Sequence, residues 1–316
     1  VGHRVDSPMD LSIIIVSWNV RDLLIRCLRS IPSAAHELKY EIIVVDNAST
    51  DGSGELAEHF PAVRWIQNER NVGFTRANNQ GLTLARGRHI CFLNPDTVAQ
   101  PRALETLVHY LDTHPHVGIV GPQLRYADGT LQLSRYRFPT LMAALMESTP
   151  IAWAWPDNPW VRHYHYADCP PDRTHAVDWL NGACLVVRRQ VIEQVGSFDE
   201  GFFMYSEELD LCRRAGDAGW KVVYIPDALV THHEGQSSGQ AIVSRDVNFN
   251  RSKVRYFYKY HGPLAAHLVR WGLRLQYSVQ LLIEGVKWLV GHKRSLRAQR
   301  VRVYWAVIQE ALGPPE

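Results

Sequence analysis

The sequence predicts an α/β fold: a mostly parallel central sheet flanked by helices, followed by a helical C-terminal module. Three observations carry this expectation. From residue 11 to about residue 117, short apolar, β-branched runs alternate with segments of helical spacing, the pattern of a parallel sheet covered on both faces. The apolar runs end in the polar stretches VSWN, DNAST and LNPD, and ligands of such sheets gather where the carboxyl ends of the strands converge. From about residue 251 the composition turns basic and aromatic with long helical periodicity.

The elements follow in order. VGHRVDSPMD has no apolar core and reads as a polar tail over residues 1–10, not a secretory signal. LSIIIVSWN is a strand, and Leu23, Leu24, Cys27, Leu28 and Ile31 then recur at helical spacing. The unit repeats as YEIIVVDNAST into SGELAEHF, VRWIQ into a helix from about Thr75 to Arg86, and RHICFLNPDT into RALETLVHYLDTH. Beyond residue 117, GIVGPQLRYADGTLQ reads as strands joined by an Asp128-Gly129 turn. Residues 150–173, rich in Pro, Trp, His and Tyr, read as a loop region. AVDWLNGACLVVRR gives two strand-like pieces around Asn181-Gly182, and WKVVYIPDALVTHHEG a further strand after an acidic helix.

Composition narrows the class. The 316 residues, 46% hydrophobic and 21% charged, suit an ordinary globular protein with one large domain and an appendage. Cys27, Cys91, Cys169, Cys184 and Cys212 are scattered and form no CxxC, which excludes a disulfide framework and a cysteine zinc site and fits a reducing compartment. Net charge is +2, but residues 251–316 hold twelve Lys or Arg against three acids, so that segment is +9 and the remainder −7. Residues 273–291 contain Arg274, Gln276, Gln280, Glu284 and Lys287, too polar for the roughly 18 apolar residues of a membrane span.

Four motifs could carry chemistry. MYSEELDLCRR places Glu207, Glu208 and Asp210 within four positions. Taken alone, these acids suit first a helix start, where the macrodipole favours them; the sharper alternative is a catalytic base beside a metal or polar substrate. Gly52-x-Gly54-x-x-Ala57 is a weak dinucleotide fingerprint and reads better as a turn capped by Asp51 or Ser53. Asp96, just past an apolar strand in LNPDT, is either a turn residue or a ligand for a hard divalent cation. THHEGQSS adds His232 and His233, surface histidines or a metal ligand.

Read in order, IIIVSWN, EIIVVDNASTDGS, ERNVGFTRANNQG, ICFLNPDT, DWLNGACLVVRR, GSFDEGFFMYSEELDLCRR and HHEGQSS resemble the family 2 glycosyltransferases of the A-type nucleotide-sugar fold, in particular the rhamnosyltransferase-like branch. The likeness runs from about Leu11 to Ser238. It implies a catalytic domain over 11–250, with a Rossmann-like nucleotide-sugar half (11–120) and an acceptor half (121–250), before the helical module at 251–316. The donor would lie on Ser17, Asn19, Asp46, Asn71, Gly73, Phe74, Asn94 and Asp96. Trp179, Asn181, Gly182 and Asp210 would face the acceptor. Asn94-Pro95-Asp96 occupies the place of the family's acidic metal motif with Asn as its first member, so Mg2+ or Mn2+ would rest on Asp96, His232 or the adjacent His233, and diphosphate oxygens. Glu207-Glu208 falls where the family carries its catalytic acid pair, with Glu208 the candidate base and Glu207 its neighbour; Glu207 and Asp210 would orient the loop, the acceptor or Arg213.

The implied reaction is inverting transfer of a sugar, best matched by L-rhamnose from dTDP-rhamnose, with UDP-linked donors open, to a glycan or lipid-linked glycan in cell-surface polysaccharide synthesis. A glycoside hydrolase, which also needs two carboxylates, and a non-catalytic nucleotide-sugar-binding module are the alternatives. No nucleic-acid partner is expected, and the expected location is the cytoplasm or the cytoplasmic face of the membrane. Leu264, Leu268, Trp271, Leu275, Leu282, Val286 and Leu289 form a helical apolar stripe in the basic module. It suits an anionic membrane surface or, equally, packing on protein, including a homodimer through these helices.

Overall fold

The computed structural model describes residues 9–147, 155, 157–233, 241–291 and 293–312. The chain forms two compact units: Val1–Phe138, Cys169–Gly201 and Glu207–Ser237 make the first, and Pro139–Asp168, Phe202–Ser206 and Ser238–Glu316 the second.

The first unit opens with β1 (Leu11–Ser17), α1 (Arg21–Ala34), β2 (Tyr40–Asp46), the short α2 (Leu56–His59), β3 (Arg64–Gln67), α3 (Phe74–Leu84) and β4 (His89–Leu93). β5 (Thr97–Ala99), α4 (Ala103–Thr113), β6 (Val117–Arg125), β7 (Leu131–Gln132) and β8 (Arg135–Tyr136) follow. The chain then contributes α5 (Leu141–Met146) and α6 (Pro159–Tyr164) to the second unit. It returns for β9 (His175–Val177), β10 (Trp179–Leu180), β11 (Cys184–Arg188), α7 (Arg189–Val195), α8 (Glu207–Asp217) and β12 (Lys221–His232). α9 (Ile242–Leu289) and α10 (Arg294–Ala306) complete the second unit.

The main sheet runs β3-β2-β1-β4-β11-β6-β12-β5. Every residue of β1 is buried, which explains its unbroken apolar sequence: a central parallel strand has no solvent face. β3, β2, β1 and β4 are mutually parallel, as the strand-helix alternation predicts. α1 covers them with Leu24, Cys27, Leu28 and Ile31, the apolar face read from the spacing. Past β4 the sheet becomes mixed: β11 is antiparallel to both β4 and β6, while β6 and β12 are parallel. β1 has β2 on one side and β4 on the other, so the order reverses there, and the loops after Ser17, Asp46 and Leu93 open beside that switch point.

The Asp128-Gly129 turn joins β6 to its antiparallel neighbour β7, with Asp128 Oδ1 accepting from Thr130 N at 2.9 Å. Residues 150–173 are not loop throughout. α6 lies inside them, and Asn158 caps it by accepting from Val161 N at 2.9 Å, with Pro159 as first helical residue. That Asn-Pro start was legible but masked by the Pro- and aromatic-rich composition around it.

In the second unit α9 is broken at Gly262, whose φ of 81° suits glycine, and Pro263 restarts the helix. Its later part buries Ala266, Val269 and Leu273, and Glu284 is held under α10 by Arg297 Nη1 at 2.6 Å. Among the described residues no helix is long and apolar enough to cross a membrane.

Candidate active site

The ends of β1 and β2 build one wall. Ser17 and Asp46 are register partners, both buried, and Ser17 Oγ and Asp46 Oδ1 have no hydrogen-bond partner among the described residues. Buried polar atoms are normally satisfied, so two orphans side by side at the carboxyl ends of adjacent strands mark a place for a polar ligand. Asn19, in the left-handed region at φ 53°, clasps the loop after β2: its N donates to Ser49 Oγ at 2.9 Å, and its Oδ1 accepts from Thr50 N at 2.7 Å. Asp51 accepts from Arg21 N at 2.8 Å and from Ser53 Oγ at 2.6 Å. The Gly52–Gly54 segment is therefore a capped turn.

Asn47 is a residue sequence reasoning missed. Its Oδ1 accepts from Val72 N at 3.0 Å, and its Nδ2 donates to Asn71 Oδ1 at 2.9 Å. Asn71 Oδ1 in turn accepts from Gly73 N at 3.0 Å. Asn47 thus pins the NVGF loop, carrying Asn71, Gly73 and Phe74, against the end of β2. The only signal was its place directly after Asp46.

A second cluster forms after β4. Asn94 N donates to Ala183 O at 2.9 Å, its carbonyl accepts from Thr97 Oγ1 at 2.7 Å, and its side-chain Oδ1 is buried without a partner among the described residues. The turn presents Asp96, whose Oδ1 lies 3.3 Å from His232 Nε2. His232 is the last residue of β12 and is buried; His233 uses its backbone N to donate to Asp96 O at 2.8 Å. His232 Nδ1 meets Gln132 Oε1 at 3.1 Å, which orients the ring with Nε2 towards Asp96. An imidazole nitrogen and a carboxylate oxygen 3.3 Å apart can share a cation or a proton.

No group of three or more His, Cys, Asp or Glu that could hold a metal occurs among the described residues. One carboxylate and one oriented imidazole nevertheless fit a divalent cation that takes its remaining ligands from water and substrate phosphates.

Glu208 closes this side. The chain enters α8 through two left-handed residues, Tyr205 (φ 70°) and Ser206 (φ 66°), a costly conformation of the kind that clusters at functional sites. Gly182 sits so close that a Cβ there would lie 3.4 Å from Glu208 Oε1. Since Ala183 O holds Asn94 N, residues 182–183 bridge the acid pair to the Asn94–Asp96 turn. Glu208 is half-buried, and its Oε2 lacks a partner among the described residues. Burial raises its pKa, while amide N–H groups at Gly182 and Leu209 favour the ionised form. Glu207 lies deeper, and its pKa is pushed well up, by burial first and then by the charges of Glu208 and Asp210. The pair is therefore unequal: both carboxyls are pushed up, Glu207 further than Glu208.

A stability test follows. Glu207 ionises in the unfolded chain near the ordinary carboxylate range but holds its proton in the fold, so it lowers stability increasingly as pH rises above that range. Glu207→Gln is expected to raise the unfolding temperature at neutral pH. The gain should grow with a slope approaching about 1.4 kcal/mol per pH unit and vanish below about pH 4. Equal stabilities at pH 4 and pH 8 in a denaturant titration would show Glu207 to be ionised in the fold.

The remaining expected residues separate. Trp179 stacks on Tyr136 with ring centroids 4.4 Å apart, and its Nε1 donates to Arg137 O at 3.0 Å. Asn181 Oδ1 accepts from Ala183 N at 2.9 Å, which shapes the turn carrying Gly182. Asp210 is fully buried, and its carboxylate is taken by Arg214 Nε at 2.8 Å. This pairing ties Asp210 within α8. Arg214 also donates to Ser197 O at 2.8 Å; Arg213 lies over the Phe138 ring and pairs with Asp217.

Comparison with known proteins decides the class. Residues 12–196 match the model of glycosyl transferase family 2. The chain belongs to that family. It is 32% identical over 278 residues to the N-acetylglucosaminyl-diphospho-decaprenol L-rhamnosyltransferase of Mycobacterium tuberculosis, covering 84% of this chain and 89% of that protein. It is 27% identical over 231 residues to the rhamnosyltransferase WbbL of Escherichia coli K12, covering 70% and 82%. A mannosyltransferase from Pyrobaculum calidifontis, solved with GDP-Man and Mn2+, superposes with a TM-score of 0.57 at 17% identity over 98% of this chain and 90% of that one. GalNAc-T7, solved with UDP, GalNAc and Mn2+, gives 0.58 at 17% identity over 80% of this chain, which spans 48% of that structure. The family 2 glycosyltransferase is thus an enzyme of the A-type fold.

Proposed function

We propose that this glycosyltransferase moves L-rhamnose, with inversion, from dTDP-rhamnose to a hydroxyl of a lipid-linked glycan in cell-surface polysaccharide synthesis. The observation that carries the reading is the orphan carboxylate oxygen of Glu208, held against Gly182 beside the Asn94–Asp96 turn. Likeness to the mycobacterial rhamnosyltransferase over nearly the whole of both chains supports the choice of sugar and acceptor.

Glu208 takes the proton of the acceptor hydroxyl, whose oxygen forms the new bond to the anomeric carbon while the bond to the diphosphate oxygen breaks on the opposite face. A raised pKa suits the task, because a base nearer the working pH accepts a proton more readily in the transition state. Ser17, Asp46 and the loop pinned by Asn47 would hold the nucleoside. Asp96 and His232 would hold Mg2+ or Mn2+, which when bound neutralises charge developing on the leaving diphosphate. The free cysteines suit the reducing cytoplasm, and a lipid-linked acceptor brings the enzyme to a membrane surface.

Thermal unfolding with a panel of nucleotide sugars and Mg2+ or Mn2+ tests the donor. dTDP-rhamnose should raise the unfolding temperature most, and only with the metal. Preference for a UDP-linked hexose would reject the rhamnose assignment. Turnover of a simple glycoside without nucleotide would reject transfer altogether.

A further inference from the structure

Beyond Pro263, α9 has two apolar sides. One is packed, through Ala266, Val269 and Leu273. On the opposite side Leu264, Leu268, Trp271, Leu275, Leu282 and Leu289 are bare, with Leu264 73%, Leu275 69%, Leu282 69% and Leu289 68% exposed. At about 100° per residue they fall within an arc of about 60°, and no Asp, Glu, Lys or Arg of the helix beyond Pro263 falls in that arc. The stripe runs for about 40 Å at 1.5 Å per residue. Apolar patches of this extent on a soluble surface mark a binding face.

Charge selects the occupant. Arg274 and Lys287 stand about a quarter and a third of a turn off the stripe, on either side. Lys293, Arg294 and Arg302 are exposed on the same unit. The acid Glu284 is buried and already ringed by Arg297, Arg300 and Lys287. Trp271 within the stripe and Trp305 on α10 are 62% and 57% exposed; such amphipathic aromatics favour a membrane interface. A second copy would bring the same +9 segment against its like, whereas an anionic lipid surface neutralises it.

We infer that this part of α9 is a membrane-docking helix that lies in the plane of an anionic bilayer, with the Leu264–Leu289 stripe in the acyl boundary and the flanking arginines and lysines on the headgroups. The lipid-linked acceptor proposed above supplies the purpose of such docking; the stripe supplies its evidence.

Co-sedimentation of the full chain with phosphatidylglycerol and with phosphatidylcholine vesicles tests it. Binding to the anionic vesicles should exceed binding to the neutral ones by more than about tenfold and weaken with salt. The triple change Leu264→Glu, Leu275→Glu and Leu282→Glu, all at exposed positions, should lower it by more than about tenfold. Changing Lys293, Arg294 and Arg302 to Gln should remove the anionic preference. Equal or absent binding to the two vesicles, or unchanged binding by the triple variant, would overturn the inference. So would a wild-type dimer that the triple variant turns into monomers, since a second copy would then own the stripe. Nucleotide-sugar binding followed on the same proteins reports separately on sugar transfer, so either reading can fail alone.

Discussion

Replacing Glu208 by Gln is expected to lower kcat by about 10²- to 10⁴-fold, the usual contribution of a positioned general base, while the donor's dissociation constant changes little. Gln keeps the length and one acceptor oxygen of the side chain, so contact with Gly182 and the helix start survives and only the capacity to take a proton is lost. Because burial raises the Glu208 pKa, activity in the wild type should fall with decreasing pH through a limb lying above the ordinary carboxylate range. Below that limb Glu208 is already protonated and cannot act. Single-turnover kinetics with saturating donor separate the chemical step from product release. Near-normal turnover in Glu208→Gln, with Glu207→Gln inactive, would move the base by one position.

Asp96→Ala should abolish the divalent-cation dependence of nucleotide binding. Asp96 and His232 form a close acid-imidazole contact beside the carboxyl ends of the strands, 3.3 Å apart, and the donor's two phosphates must be held by a unit drawn mostly from the acidic part of the chain. Charge stabilisation by a metal amounts to several kcal/mol, so affinity for the nucleoside diphosphate in the presence of Mg2+ or Mn2+ should drop by about 10²-fold or more. Without metal, wild type and variant should bind alike. Calorimetry with and without the cation measures all four cases. Equal affinities throughout would remove Asp96 and the cation from donor binding.

What the sequence made legible was local. An apolar β-branched run followed by polar residues identifies both a buried strand and its ligand end, so Asp96 could be singled out before any coordinates, whereas Ser17 and Asp46 were implied by the family resemblance. The direction of β11 could not be read: CLVVR is a short buried run, and nothing in such a run distinguishes insertion antiparallel between β4 and β6 from another parallel strand. Partnerships across long separations were equally hidden. Gln132 holds the ring of His232 from 100 positions away. Asp210 shares its stretch of sequence with Glu207 and Glu208, and nothing in that stretch foretold that it would be fully buried with its carboxylate taken by the guanidinium of Arg214.

The placement of β11 also governs how a nascent chain can assemble. β3, β2, β1 and β4 lie within the first 93 residues and can pair as soon as they are made. The outer edge of β4 must then wait for a strand that begins only at Cys184. Throughout synthesis of the intervening segment, β4 offers unpaired N–H and C=O groups along an apolar strand, the kind of edge that recruits other chains. Closing so long a loop is slow compared with forming the local units. The strand that delivers Gly182 to Glu208 is thus also the one that seals the half-built sheet, which ties completion of the active site to escape from aggregation.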